Sequence, residues 1–214
     1  MHITGRVNGK HAFPLPLENV WQIANHSLRN LNEKFGLEFH SFVLMPNHFH
    51  LFARDSEAIL SKAMCHFMKE FSCGVSQSAG ICGRLWGERF FSSVVSSDLY
   101  FQNVYRYVYQ NPLRAGLVQD VRDYPFSTLP LLFKRDTHDI PLIEDFFFRD
   151  DPTETIAWLN IRPGIDEEAR VRKGLRRKIF SPPRSDQTKR KGFDPTLLLR
   201  RGPEKRQAPF SFCR

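Results

Sequence analysis

The spacing of apolar residues switches between a strand period and a helix period several times in the first 110 residues. His2-Ile3-Thr4-Gly5-Arg6 reads as a short strand, closed by the turn-prone pair Asn8-Gly9. After Pro14 and Pro16, the residues Val20, Ile23, Ala24, Leu28, Leu31 and Phe35 recur at helical spacing, and Gly36 supplies a stop. Residues 37–45 and 48–54 are β-rich and flank Pro46-Asn47, which predicts a hairpin. Helical spacing returns over residues 59–75 through Ala63, Phe67 and Phe71, and the Gly- and Ser-containing stretch up to Gly83 reads as loop. Residues 89–95 form a further strand candidate. Ser97 or Asp98 can then cap a helix running through Leu99, Tyr100, Val104 and Val108 to Asn111, where Pro112 disfavours continuation. The order strand, helix, strand, strand, helix, strand, helix predicts an α+β fold of ferredoxin-like type, an antiparallel sheet with helices on its faces.

Beyond Pro125 the periodicity weakens. Asp151-Pro152-Thr153-Glu154 offers an N-cap, a proline at the first helical position and an acidic third position ahead of Ile156 and Leu159. Residues 166–180 predict another helix, with Val171, Leu175 and Ile179 four residues apart in a basic setting. After Ser181-Pro182-Pro183 the chain is basic and aperiodic, which predicts a mobile tail. The expected organisation is a main domain at 1–130, a helical extension at 131–180 and a basic tail at 181–214.

Charge sharpens that division. The 214 residues carry a formal net charge of +8, yet residues 1–161 hold 15 Lys and Arg against 17 Asp and Glu, while residues 162–214 hold 16 against 6. A block of this kind is either a solvated tail or an arm that binds a polyanion. The hydrophobic share of 41% supports a genuine core. Cys65, Cys73, Cys82 and Cys213 form no C-x-x-C pair, so neither a zinc ribbon nor a disulfide scaffold is indicated. With no apolar run long enough to span a bilayer and no signal-peptide layout, the expectation is a soluble cytoplasmic protein.

Chemistry concentrates in two places. In Met45-Pro46-Asn47-His48-Phe49-His50-Leu51-Phe52, the strand period puts His48 and His50 on one side and Phe49 and Leu51 on the other. Two imidazoles at i and i+2 can grip one metal ion, or they can be ordinary members of a half-buried sheet face. In Arg106-Tyr107-Val108-Tyr109-Gln110-Asn111, Tyr107 and Asn111 would share a helix face. Tyr107 offers a phenol nucleophile and Asn111 an amide oxygen for a hard cation, although tyrosines near helix ends also serve as packing residues. Trp86 and Phe90 can stack on bases or fill the core.

Four segments in order resemble the single-tyrosine HUH transposases, specifically the branch of REP-associated tyrosine transposases. They are residues 2–8, the run Phe42-Val43-Leu44-Met45-Pro46-Asn47-His48-Phe49-His50-Leu51, the run Arg84-Leu85-Trp86-Gly87-Glu88-Arg89-Phe90, and residues 107–118, together spanning roughly residues 1–130. Gly87 departs from the glutamine that often follows the Leu-Trp pair in that family. The resemblance implies the HUH fold with a C-terminal helical extension, His48, His50 and Asn111 as ligands of Mg²⁺ or Mn²⁺, and Tyr107 as the nucleophile. It implies a single-stranded DNA endonuclease and strand transferase that recognises hairpin DNA such as REP-like palindromes and cleaves through a 5′-phosphotyrosine. It also implies a monomer, not a dimer that exchanges the tyrosine helix, and a nucleoid-associated protein. Tyr105 and Tyr109, about 160–200° around the helix from Tyr107, should pack and not attack. Arg6, Lys10, Arg84, Arg89, Arg106, Arg114, Arg176 and Arg177 are the candidate phosphate contacts. Two other readings stay open: a catalytically silent regulator that binds DNA or RNA hairpins, and a hydrolase that uses water.

Overall fold

In a computed structural model of the chain, the described residues are 1–55, 59–134, 140–143 and 152–180. Strands β1 (His2–Arg6), β2 (Glu38–Met45), β3 (His48–Arg54) and β4 (Phe91–Ser93) form one antiparallel sheet in the order β2-β3-β1-β4. Helix α1 (Leu17–Phe35) connects β1 to β2, and α2 (Leu60–Ala79) connects β3 to β4. This is the ferredoxin-like arrangement the sequence predicts.

The sheet separates two cores. On one face, Ile3, Phe42, Leu44, Phe49, Leu51 and Ala53 pack with Val20, Ala24, Leu28 and Leu31 of α1 and Ala63, Phe67 and Phe71 of α2. On the other face, Val43, Met45 and Phe52 pack with α3 (Asp98–Tyr109) through Val104, Tyr105, Val108 and Tyr109. Leu113 of the short helix α4 (Asn111–Arg114) joins this second core, as do Trp158 and Leu159 of α6 (Pro152–Asn160), Leu175 and Phe180. Ser97 caps α3, its hydroxyl accepting from the Tyr100 amide at 3.3 Å. The Pro46-Asn47 turn joins β2 to β3, which after a bulge between Phe39 and Ser41 stay in register from Ser41 opposite Phe52 to Met45 opposite His48.

Several elements differ from expectation: β4 is shorter than the strand expected at 89–95, and the helix expected to reach Asn111 ends at Tyr109, with Pro112 in the first turn of α4. Helix α2 runs on to Ala79, past the expected end at residue 75, and its Gly74 lies against α1, where a Cβ would stand 2.7 Å from Ile23 Cγ2. The actual stop is Gly80, in the left-handed conformation at φ 62°. Helix α7 spans Ile165–Gly174 and ends well short of residue 180. The chain leaves the helix to meet the sheet edge, with Val94 N donating to Lys178 O and Phe180 N donating to Val94 O, both at 2.8 Å. Phe180 is thereby buried against the ring of Tyr100, whereas Ile179, the last residue of the helical pattern, is left exposed. A short helix, α5 (Leu129–Lys134), lies where the sequence pattern was too weak to predict one. The expected Asp151 N-cap and the basic tail at 181–214 lie outside the described residues. No helix among the described residues is long and apolar enough to cross a membrane.

Candidate active site

The alternation along β3 sends Phe49 and Leu51 into the α1/α2 core and leaves His48 and His50 on the α3 face. Strand β1 follows the same parity, because Thr4 lies opposite His50 and Arg6 opposite His48. His2 therefore shares the face of the two histidines. Its Nε2 lies 3.0 Å from Nδ1 of His50, and the two rings stack with centroids 5.2 Å apart. His48 continues the row, with its ring 5.0 Å from that of His50 and its Nδ1 2.6 Å from Oδ1 of Asn47.

Helix α3 lays Tyr107 across this row. The phenol ring is edge-on to His50 at 5.7 Å and to His2 at 6.0 Å. Four residues on, Asn111 donates its amide Nδ2 to the carbonyls of Tyr107 (2.8 Å) and Val108 (3.2 Å), which tie off the end of α3. Its Oδ1 is the polar atom left for another partner. Tyr105 and Tyr109 point into the second core, and Tyr109 Oη shares a hydrogen bond with Thr128 Oγ1 at 3.0 Å. Among the tyrosines of α3's last two turns, Tyr107 alone meets the histidines.

Burial keeps the imidazoles neutral. Desolvation, helped for His48 by the charge of Arg6, pushes His48 down to about 4 and His2 to about 3. His50 is pushed well below its ordinary value by desolvation first and then by His2 and His48. Neutral imidazole is the form that binds a cation. Since the Nδ1 atoms of His48 and His50 are occupied by Asn47 and His2, the Nε2 atom of each remains for a ligand. Among the described residues no three His, Cys, Asp or Glu side chains are grouped to hold a metal by themselves. The two imidazoles, with Asn111 Oδ1 as a candidate third donor, could hold only part of an ion's coordination shell and would leave its other positions open.

The basic residues are distributed unevenly around this centre. Arg114 sits over the Tyr107 ring with its guanidinium carbon 4.4 Å from the centroid, and its Nη2 donates to Oε1 of Glu168 on α7 at 2.5 Å. Arg6 is exposed at the end of β1, beside His48. Arg106 is directed away into the extension, donating to the Ile161 carbonyl and lying 5.8 Å over Trp158. Lys10 is exposed in a 3-10 turn after β1, Arg84 and Arg89 on the loop between α2 and β4, and Arg176 and Arg177 just beyond α7. Trp86 is a core residue, packed on Phe13, Phe49 and Phe71 with its Nε1 donating to Met68 O at 2.9 Å, so base stacking is not its role. Phe90 packs partly buried against the same core.

Two participants escaped the sequence reading. In the sequence His2 is only the start of a strand, although the polar positions 2, 4 and 6 of β1 have the same period as the histidines of β3. Glu168, which holds Arg114, lies 54 residues away on a different helix, and nothing in the local sequence announces the pairing.

A two-histidine strand opposed by a helix-borne tyrosine on a ferredoxin-like sheet defines a class. Residues 15–111 match the family of IS200-like transposases, a segment that includes His48, His50 and Tyr107 and ends at Asn111. The chain is also similar to a REP-associated tyrosine transposase. It is 25% identical over 116 residues to the REP-associated tyrosine transposase of Escherichia coli (strain K12), a match covering 52% of this chain and 66% of that protein. The chain thus spans just under two thirds of that relative's length. The fold is similar to a solved structure of a REP-associated tyrosine transposase bound to a REP hairpin, with a TM-score of 0.54 and 21% identity, covering 67% of this chain and 84% of that one.

Proposed function

We propose that the protein is a metal-dependent single-stranded DNA endonuclease and strand transferase that recognises hairpin DNA and cleaves it through a 5′-phosphotyrosine. The observation that carries this reading is the edge-on approach of Tyr107 to His50, 5.7 Å between ring centres, on the sheet face that carries His2 and His50 buried. His48, His50 and Asn111 would hold Mg²⁺ or Mn²⁺, which when bound polarises a scissile phosphate. Tyr107 supplies the nucleophile. Its phenol oxygen forms a bond to phosphorus as the bond from phosphorus to the departing 3′ oxygen breaks, the phenol proton passes to water, and the 3′ oxygen gains a proton. The phosphodiester becomes a tyrosyl phosphodiester with a free 3′-OH, so a second 3′-OH can reverse the step and join strands without a nucleotide cofactor. Arg114 places a fixed positive charge beside the ring on which negative charge develops. Arg6 lies on the open side of His48 and suits a phosphate.

The related structure with a REP hairpin supports hairpin DNA as the partner, and the meeting of Tyr107 and His50 within one chain supports a monomeric site. The test mixes protein, Mn²⁺ and labelled hairpin oligonucleotides and looks for a protein-DNA adduct that survives denaturation. Tyr107→Phe should lower adduct formation by about three orders of magnitude or more. Persistence of the adduct in that variant would overturn the nucleophile, and unchanged cleavage by His48→Ala would overturn the metal site. Tight, salt-sensitive binding without an adduct under any divalent ion would establish a silent hairpin binder. Free 5′-phosphate products without an adduct would establish hydrolysis by water.

A further inference from the structure

We infer that His2 is a positioning residue which, as the hydrogen-bond acceptor for His50, sets the tautomer in which His50 can hold the cation. The inference rests on the metal reading above and deepens it. An imidazole ligates through a nitrogen that carries no proton. If His50 Nε2 is to ligate while the ring stays neutral, the ring proton must sit on Nδ1. That N–H is buried and needs an acceptor, and the atom in place is His2 Nε2, 3.0 Å away on the neighbouring strand. His2 must then carry its own proton on Nδ1.

The opposite arrangement is equally well hydrogen-bonded but closed to a cation. If His2 Nε2 donates to His50 Nδ1, the proton of His50 moves to Nε2, where a ligand would bind. The His2–His50 pair is thus a two-state element whose tautomers are exchanged by the cation itself. The remaining geometry supports a role beyond packing. His2 is 2% exposed, and its Nδ1 is buried with no hydrogen-bond partner, a polar atom that an aliphatic side chain of similar size would eliminate. The stacked rings at 5.2 Å and the edge of Tyr107 at 6.0 Å hold the imidazole plane toward His50. His48 has a counterpart arrangement, its Nδ1 facing Oδ1 of Asn47, but an amide oxygen can only accept and so leaves no tautomer choice.

The experiment compares Mn²⁺ binding, read by electron paramagnetic resonance of the free ion, in wild type, His2→Leu, His2→Gln and His48→Ala. Thermal unfolding of each metal-free protein is recorded alongside. Leucine keeps apolar volume without an acceptor, while the terminal amide of glutamine reaches where the imidazole Nε2 stands. His2→Leu should bind Mn²⁺ about 10- to 100-fold more weakly, with the metal-free protein still cooperatively folded. His2→Gln should return affinity to within about threefold of wild type, if loss of the acceptor is the cause of that weakening. A purely structural role would move affinity and stability together and would not distinguish the two replacements. Wild-type affinity in a folded His2→Leu overturns the role of His2 while leaving the metal reading intact. Failure of wild type to bind Mn²⁺, or binding unchanged by His48→Ala, overturns the metal reading and the inference with it. Nitrogen-15 spectra provide a second readout: Mg²⁺ should shift the His50 proton onto Nδ1 in wild type, and a proton remaining on Nε2 in the saturated protein overturns the tautomer assignment.

Discussion

The two faces of the sheet are built from the same strands and solve opposite problems. The face under α1 and α2 is a dry layer in which Phe42, Phe49, Phe67, Phe71 and Trp86 contact one another ring to ring, and Trp86 meets its single polar need at Met68 O. The face under α3 contains a row of three imidazoles, a phenol, an amide and a guanidinium within a shell of apolar residues. The first face supplies rigidity through dispersion and loss of water contact. The second trades some of that gain for polar groups held in fixed orientations. Strand β3 serves both, since a period of two lets Phe49 and His50 be neighbours in the chain and strangers in space.

Substitutions along β3 test this division most strongly. Phe49→Ala should destabilise the fold by about 3–5 kcal/mol in urea unfolding, because a fully buried ring leaves a cavity. His48→Ala should cost about 1 kcal/mol or less and leave the fold intact while metal binding is lost. Equal costs at the two positions would erase the distinction between the faces.

Acid sharpens the contrast next. Unfolded histidines titrate near 6.5, whereas His48 and His2 in the folded chain titrate near 4 and 3, so unfolding takes up protons between these values. Stability of the metal-free protein should therefore fall as pH drops from about 6.5 toward 4, by roughly 1.4 kcal/mol per pH unit for each titrating imidazole. The decrement caused by Phe49→Ala should stay constant over that range. A flat stability profile, measured by unfolding in chelator-containing buffer, would show that the imidazoles are already solvated in the folded state.

Smaller effects separate the tyrosines of α3. Tyr109→Phe removes the hydroxyl bonded to Thr128 and should cost about 1 kcal/mol of stability with adduct formation retained. Tyr107→Phe should do the reverse, abolishing the adduct with stability nearly unchanged. The smallest change is expected for Glu168→Gln, which weakens the partly exposed pair with Arg114 by about 1 kcal/mol or less. It should nevertheless alter the rate of adduct formation, because Arg114 is held over Tyr107 by that carboxylate. An unchanged rate would make the ion pair a connection between α4 and α7 and nothing more.

Local patterns reached far into this molecule. The helix expected between Pro16 and Gly36 is the α1 observed, and the ranges expected for β1 and β3 coincide with theirs, because each is a strongly periodic segment bounded by Pro, Gly or a turn. The placement of His48 and His50 on one face, and of Tyr107 on a different helix face from Tyr105 and Tyr109, follows from two periods alone. Legibility failed where an element answers to a distant partner. Residues 76–79 looked like loop because apolar spacing ends at Val75, yet the helix continues to its glycine stop at Gly80. Residues 175–180 continued a helical pattern on paper, yet backbone pairing with Val94 and the burial of Phe180 prevailed over propensity. Arg106 and Arg114 looked alike as surface cations. One is committed to the Ile161 carbonyl of the extension and the other to the ring of Tyr107.

The sequence by itself determined the ferredoxin-like order of elements, the shared face of His48 and His50, and the candidacy of Tyr107 and Asn111. Each of these follows from spacing within one element, where geometry is set by the backbone. The tertiary structure alone decided that the helix face of Tyr107 meets the strand face of His50 and that His2 completes the row. It also decided that Glu168 governs Arg114. Those relations depend on strand register and on which helix covers which face, and both are chosen by the burial of side chains far apart in the chain.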